Sequence, residues 1–350
     1  MIETATVPRL RPVAAEPAVT LLRAAAAVLV VYGYLVGLWV DRQDAYLGLV
    51  DVLRRWVNRP FGLGEDFGPF GVMLLLAACG YVSGRGAWGR LARLYVPVVL
   101  VTATAGALLT AGARVWTEPA TSTVNVPRLL GNVSLVSHLL PDAAVLVPLA
   151  WVVLLAMCGA LASAAAARLR PGWVLPAGQL AVVAALVVLG SWRHELRELA
   201  GHASFYPMVV AGQLVYLARS RAVPVWLAGL LGTLCWALVA VAEPLLPELT
   251  GWWYPVAAAY AGLLLTVAVL TQGRVAAAFA ASPVVRWASD RVWWLVLLPG
   301  AVGWPVVAVV DLPVGVGILL AVLGTVLAAE LGYWLVRLAW SAGGRRWEQV

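Results

Sequence analysis

Val19-Thr20-Leu21-Leu22-Arg23-Ala24-Ala25-Ala26-Ala27-Val28-Leu29-Val30-Val31-Tyr32-Gly33-Tyr34-Leu35-Val36-Gly37-Leu38-Trp39-Val40 is an apolar run broken by one charge. About 20 mainly apolar residues cross the ~30 Å hydrocarbon core as a helix, so this run is long enough to span a membrane. Arg9 and Arg11 precede it in the manner of a signal peptide. A cleaved signal would carry a shorter apolar core and a small-residue cleavage site, whereas Trp39-Val40-Asp41-Arg42 follows here. The run reads as a retained membrane helix behind a loose, aperiodic tail over 1–16.

Nine further apolar runs follow, near 68–84, 94–113, 143–166, 173–191, 203–218, 223–242, 253–272, 292–310 and 314–338. The reading is an all-α integral membrane protein of ten transmembrane helices. One domain fills 17–340, and 341–350 forms a second tail. Composition agrees: 63% of the 350 residues are hydrophobic and 12% charged, with a mean hydropathy of +0.90. Such a chain is not a soluble enzyme, a collagen, a disordered tail or a disulfide scaffold. All 24 cations are Arg, a choice that fits a GC-rich bacterial genome.

The charges test the ten-span reading, because cytoplasmic flanks collect Arg. With the N-terminus inside, sixteen Arg and four acids fall on the inner side, against eight Arg and twelve acids on the outer side. Both termini are therefore expected in the cytoplasm, in a bacterial inner membrane among its lipids. The net charge of +7 reflects this topology and not nucleic-acid binding. Cys79, Cys158 and Cys235 lie in apolar runs and read as packing residues, and no Cys/His spacing points to a metal. The outer segment 41–67 places Tyr46, Leu47, Val50, Leu53, Trp56 and Val57 at helical spacing opposite Asp44, Asp51, Arg54 and Arg55, the pattern of an interfacial helix. Ala228-x-x-x-Gly232 has the small-residue spacing that permits close helix packing.

Arg23 and Tyr34 are eleven residues apart, so they share a helix face about 16 Å from each other and can link the inner surface to the midplane. Around them the chain resembles the membrane-bound acyltransferase-3 family, whose first helix reads Leu-Arg-Ala followed by a His ten residues after the Arg. Gly71-Val72-Met73-Leu74-Leu75-Leu76-Ala77-Ala78-Cys79-Gly80-Tyr81-Val82 is similar to its Gly-Val-x-x-Phe-Phe-x-x-Ser-Gly-Phe segment. Arg90-Leu91-Ala92-Arg93-Leu94-Tyr95-Val96-Pro97 resembles its Arg-x-x-Arg-x-x-Pro, and Pro148-Leu149-Ala150-Trp151 its Pro-Leu-Trp. The resemblance implies acyl transfer from cytoplasmic acyl-coenzyme A, as co-substrate, to a hydroxyl of an envelope glycan, lipid or secondary metabolite. It also implies that Arg23, Arg90 and Arg93 hold the coenzyme.

The departures from that pattern fall on the chemistry. The first-helix His of the family, its proton acceptor, falls on Tyr34, and its helix-nine His falls on Leu298 before Pro299. A tyrosine with a reference pKa near ~10 is a poor base at neutral pH, so Tyr34 is left to orient or donate. Only His138, His194 and His202 remain, all assigned to outer loops. Asp142 could orient His138 if the loop turns back, whereas His194 and His202 read as part of a solvated face. Glu330 is the single acid inside a span, seven residues or about 10 Å before Arg337 on the same face. It reads either as the partner of Arg23, Arg93 or Arg337 or as a proton-transfer group.

Tyr34, Glu330 and His138 are thus the catalytic candidates, and no metal is expected. Two other functions stay open. One is a non-catalytic scaffold that binds or carries a lipophilic molecule. The other is an isoprenoid cyclase started by protonation from Glu330 or an outer acid, for which eighteen Trp could line a carbocation cavity.

Overall fold

The computed structural model describes residues 16–38, 40, 46–83, 88–113, 124–141, 143–165, 172–250, 254–271, 274–309 and 313–342. The tail segments 1–15 and 343–350, and Asp142, lie outside the described residues. All secondary structure among the described residues is helical. In chain order the helices are α1 (Pro17–Tyr32, prolonged by a π turn at Gly33–Gly37), α2 (Gly48–Leu53, prolonged by a π turn at Arg54–Asn58), α3 (Gly68–Ser83), α4 (Trp88–Thr110) and α5 (Val126–Val133). Then come α6 (Ala150–Ala165), α7 (Val174–Trp192), α8 (Arg197–Ala203), α9 (Tyr206–Arg219), α10 (Val225–Leu245) and α11 (Tyr254–Thr271). Last are α12 (Arg274–Ala281), α13 (Pro283–Asp290), α14 (Val292–Leu298, prolonged by a π turn at Pro299–Gly303 and by Trp304–Val309) and α15 (Val314–Ala342).

Each of the ten apolar runs contains a helix, but they are not equivalent. Among the described residues, six helices are long and apolar enough to cross a membrane: Pro17–Gly37, Leu91–Thr110, Val174–Trp192, Val225–Leu245, Tyr254–Thr271 and Val314–Ser341. Their outward side chains include Leu230, Leu263, Leu270, Leu319 and Leu327, all exposed, as a lipid-facing surface requires. This is an all-α, multi-pass membrane protein. Gly68–Ser83, Ala150–Ala165 and Val292–Val307 are shorter apolar helices, and α9 is shorter still.

The short helices lie at the centre. All of α3 is buried except Pro69, Phe70, Cys79 and Val82, because it is apolar all round and packs against α1, α6, α9 and α11. Its closest neighbour is α9. A Cβ on Gly80 would stand 1.9 Å from the Val209 carbonyl oxygen, and one on Gly212 2.0 Å from that of Ala77, so only glycine admits this approach. The small-residue spacing singled out in the sequence is not used this way, since nothing lies within 4 Å of a Cβ placed on Gly232. Cys235 is buried as expected, but Cys158 is exposed on α6.

Ion pairs join residues that the sequence places on the same side. Arg59 meets Glu65 at 3.1 Å and Arg197 meets Glu248 at 3.8 Å on the face called outer below. Arg219 meets Glu16 at 3.0 Å on the other face, called inner, and the Tyr81 hydroxyl donates to Glu16 at 2.7 Å. Glu16 is therefore tied down and does not belong to a loose tail. A helix forms as α2 within 41–67, and its apolar residues do not share one buried face. Val50 is buried, whereas Trp56, expected on the same face, is exposed.

Candidate functional site

A cavity of about 140 Å³ opens where the central helices stop short of the outer face. Tyr34 and Leu38 reach it from the end of α1, Asp66, Gly68, Pro69 and Val72 from the start of α3, and Leu149 and Trp151 from the start of α6. Phe205, just before α9, and Tyr254, at the start of α11, complete the lining.

Tyr34 owes its place to the π turn in α1, a local widening that often marks functional positions. Gly33 and Gly37 allow that turn to press against the start of α3. A Cβ on Gly33 would lie 2.7 Å from the Gly68 Cα, and one on Gly37 2.9 Å from the Asp66 Cβ. The Asp66 carboxylate accepts a bond from the Gly68 N–H at 2.5 Å, capping α3 where the helix dipole favours an anion. Asp66 is 3% exposed, and its charge reaches the Tyr254 hydroxyl, as does that of Glu243. The Trp304 indole N–H donates to the Tyr34 carbonyl oxygen at 3.2 Å, and the π turns of α1 and α14 touch. Leu298, where the resemblance puts a second His, is buried just before the latter turn.

Aromatic rings form one wall. Trp151 and Phe205 lie 4.9 Å apart between centroids, and Phe205 meets Tyr254 edge-on at 4.9 Å. Behind Trp151 stacks the imidazole of His202, at 5.1 Å, which meets His138 edge-on at 5.8 Å. His202 Nδ1 donates to the His138 carbonyl oxygen at 3.2 Å. His202 is thus half-buried against Trp151, not set on a solvated face with the exposed His194. Asp142, expected from sequence to orient His138, lies outside the described residues; the partner shown is His202. Burial pulls His138 down to about 3, with a smaller push from His202, and pulls His202 down to about 4 against the hydrogen bond that raises it. Both are neutral at pH 7. His138 Nε2 is buried and has no hydrogen-bond partner among the described residues.

At the inner end of α1, the charges of Arg23, Arg291, Arg286 and Arg93 all act on Asp290 at the end of α13. Arg23 and Arg93 are therefore brought together, with Arg286 and Arg291 added. The side chain of Arg90 lies outside the described residues.

Glu330 is not part of the outer cavity. Its ion-pair partner is Arg291, a residue outside the three that the sequence offered. Arg291 Nε and Nη2 both bond the carboxylate, the latter at 2.8 Å, while the indoles of Trp287 and Trp334 donate to it at 2.7 and 2.6 Å. The Arg291 guanidinium also lies 4.1 Å over the Tyr333 ring. A carboxylate accepting four bonds in such a cage acts as an acceptor.

Compared with models of known families, with curated proteins and with solved structures, the chain matches none. The three catalytic candidates thus occupy three places: Tyr34 in the cavity, His138 behind its aromatic wall, and Glu330 in a cage near the inner arginines. Asp66, Phe205, Tyr254 and Arg291 were not singled out by sequence. For Asp66 the signal was present, since Asp66-Phe67-Gly68-Pro69 before an apolar run is a helix-start pattern.

Proposed function

We propose that this chain is a ten-span membrane protein of acyltransferase-3 type, with both described ends of the bundle in the cytoplasm. It transfers an acyl group from acyl-coenzyme A to a hydroxyl-bearing acceptor. The observation that carries this reading is that α1 presents Arg23 to a cluster of arginines at one end and Tyr34 to a cavity at the other. Arg23 and Arg93 hold the coenzyme's phosphates, and its thioester arm follows α1 to the cavity. There Tyr34 orients the acceptor hydroxyl and Asp66, the one carboxylate of the lining, takes its proton. The acceptor oxygen bonds to the acyl carbon, the C–S bond breaks, and the proton passes to the departing thiolate. Asp66 thus stands in for the histidine that the family places at Tyr34.

The test is binding and turnover of a short-chain acyl-coenzyme A by the protein in lipid nanodiscs. Arg23→Ala should weaken binding at least ~10-fold, as loss of a charge-assisted phosphate contact does. Tyr34→His should raise turnover by restoring a base near neutral pKa. Unchanged binding in Arg23→Ala refutes the reading. A second reading, a binding scaffold without catalysis, is favoured by the absence of histidine from the lining. It predicts ligand capture with no turnover in either form.

A further inference from the structure

We infer that the outer cavity recognises a small organic cation, a quaternary ammonium or protonated amine of the choline type. The inference concerns the same cavity but does not rest on acyl transfer, because the cavity's walls alone carry it.

Its lining brings the faces and edges of Tyr34, Trp151, Phe205 and Tyr254 around a space that also holds the Asp66 carboxylate. Aromatic rings attract a cation through their quadrupole, and Trp does so best. Trp151, Phe205 and Tyr254 are braced against one another by tilted and edge-on contacts at 4.9 Å, which fixes two walls of the enclosure at an angle. The size fits a headgroup. A cavity of ~150 Å³ takes one benzene-sized ligand of about six heavy atoms, and this one measures about 140 Å³.

Charge decides between a cation and an anion. Helix N-termini at α3, α6, α9 and α11 approach the cavity, and unopposed they would favour an anion. At α3 that site is already filled by the buried carboxylate of Asp66. Pro69, Pro207 and Pro255 stand at the second position of α3, α9 and α11, so each of those first turns lacks one N–H that an anion would need. Behind Trp151 the paired imidazoles of His138 and His202 add no positive charge at neutral pH. Asp66 and Glu243 are the carboxylates that act on the Tyr254 hydroxyl at that wall.

Equilibrium binding of radiolabelled choline to the full chain in phosphatidylglycerol nanodiscs, without acyl-coenzyme A, tests this. The competitors are tetramethylammonium and 3,3-dimethyl-1-butanol, the uncharged carbon isostere of choline. Tetramethylammonium should displace the label, and the neutral isostere should do so at least ~10-fold less well, since it keeps the shape and loses the charge. Trp151→Leu and Asp66→Asn should each weaken binding by a similar factor. Because Asp66→Asn also alters the cap of α3, the comparison of choline with its isostere in the unmutated protein is decisive by itself. Equal displacement by the isostere, or no choline binding, overturns the inference. In phosphatidylcholine nanodiscs, suppressed binding of free choline identifies a lipid headgroup as the source. Unchanged binding identifies a free solute, and both outcomes support the ligand class. Failure here with intact acyl turnover leaves the proposed function standing, and the converse holds as well.

Discussion

Acid should loosen the outer end of this protein through His138 and His202, by an amount the structure sets. His138 is buried and His202 half-buried, and both are held neutral, at about 3 and about 4, whereas an unfolded histidine titrates near ~6.5. A folded value below the unfolded one means that the unfolded chain binds more protons between them. The stabilisation is complete above pH ~6.5 and declines as pH falls, until each folded group protonates near pH 4 for His202 and pH 3 for His138. Going from pH 7.5 to 5 removes about 2 kcal/mol for each imidazole, roughly 4 kcal/mol together. That is a large part of the ~5–15 kcal/mol that ordinarily holds a domain folded. The assay is denaturant unfolding in nanodiscs at several pH values between 7.5 and 5. His138→Phe and His202→Phe should each remove about half of the acid sensitivity, since the ring remains but no proton can be taken. His194→Phe, at an exposed position, should leave it intact. Imidazole NMR signals of His138 and His202 that titrate near pH 6.5 would refute the reasoning.

Two further outcomes follow from the packing. Gly212→Val should destabilise the bundle by about 1–3 kcal/mol through overpacking, because its Cβ would meet the Ala77 carbonyl oxygen at 2.0 Å; thermal unfolding that matches the unmutated protein would show that α3 and α9 can part freely. Glu330→Gln removes the carboxylate charge that two Arg291 nitrogens bond, while the amide oxygen of Gln can still accept from Trp287, Trp334 and Arg291. A cost of about 1–2 kcal/mol, with choline binding unchanged, is expected from unfolding and binding measured side by side.

The helices were legible because each apolar run carries its own signal. What the sequence could not supply was which runs would be lipid-facing and which central. Gly68–Ser83 and Tyr206–Arg219 seemed merely short, yet their brevity is what leaves room for the cavity between their ends. Tyr34 was found through its spacing from Arg23, a local relation along one helix. Asp66 and Tyr254 were missed because they become partners only when α1, α3 and α11 pack, and nothing in linear spacing joins them. Glu330 failed differently. Its depth in an apolar run marked it correctly as unusual, but its partner Arg291 comes from α13–α14, forty residues away in round terms by chain and adjacent only in the fold.

The cavity also explains an otherwise costly piece of backbone. In a membrane interior an irregular segment is tolerated only where protein satisfies its polar groups or where it lines a cavity. Residues 143–149 are such a segment, leading into α6 without regular helix. Asn132, 2% exposed at the end of α5, acts as its splint. Its side-chain oxygen accepts from the Leu146 N–H at 2.7 Å, and its amide nitrogen donates to the Ala144 carbonyl oxygen at 2.9 Å. One side chain thereby replaces two bonds that a helix would have made for itself. Had the chain remained helical through 143–149, those bonds would be internal and α6 would extend into the space that Leu149 and Trp151 now border. The break in the helix and the buried asparagine that repairs it are therefore two parts of one arrangement, whose product is a binding space with a rigid aromatic wall.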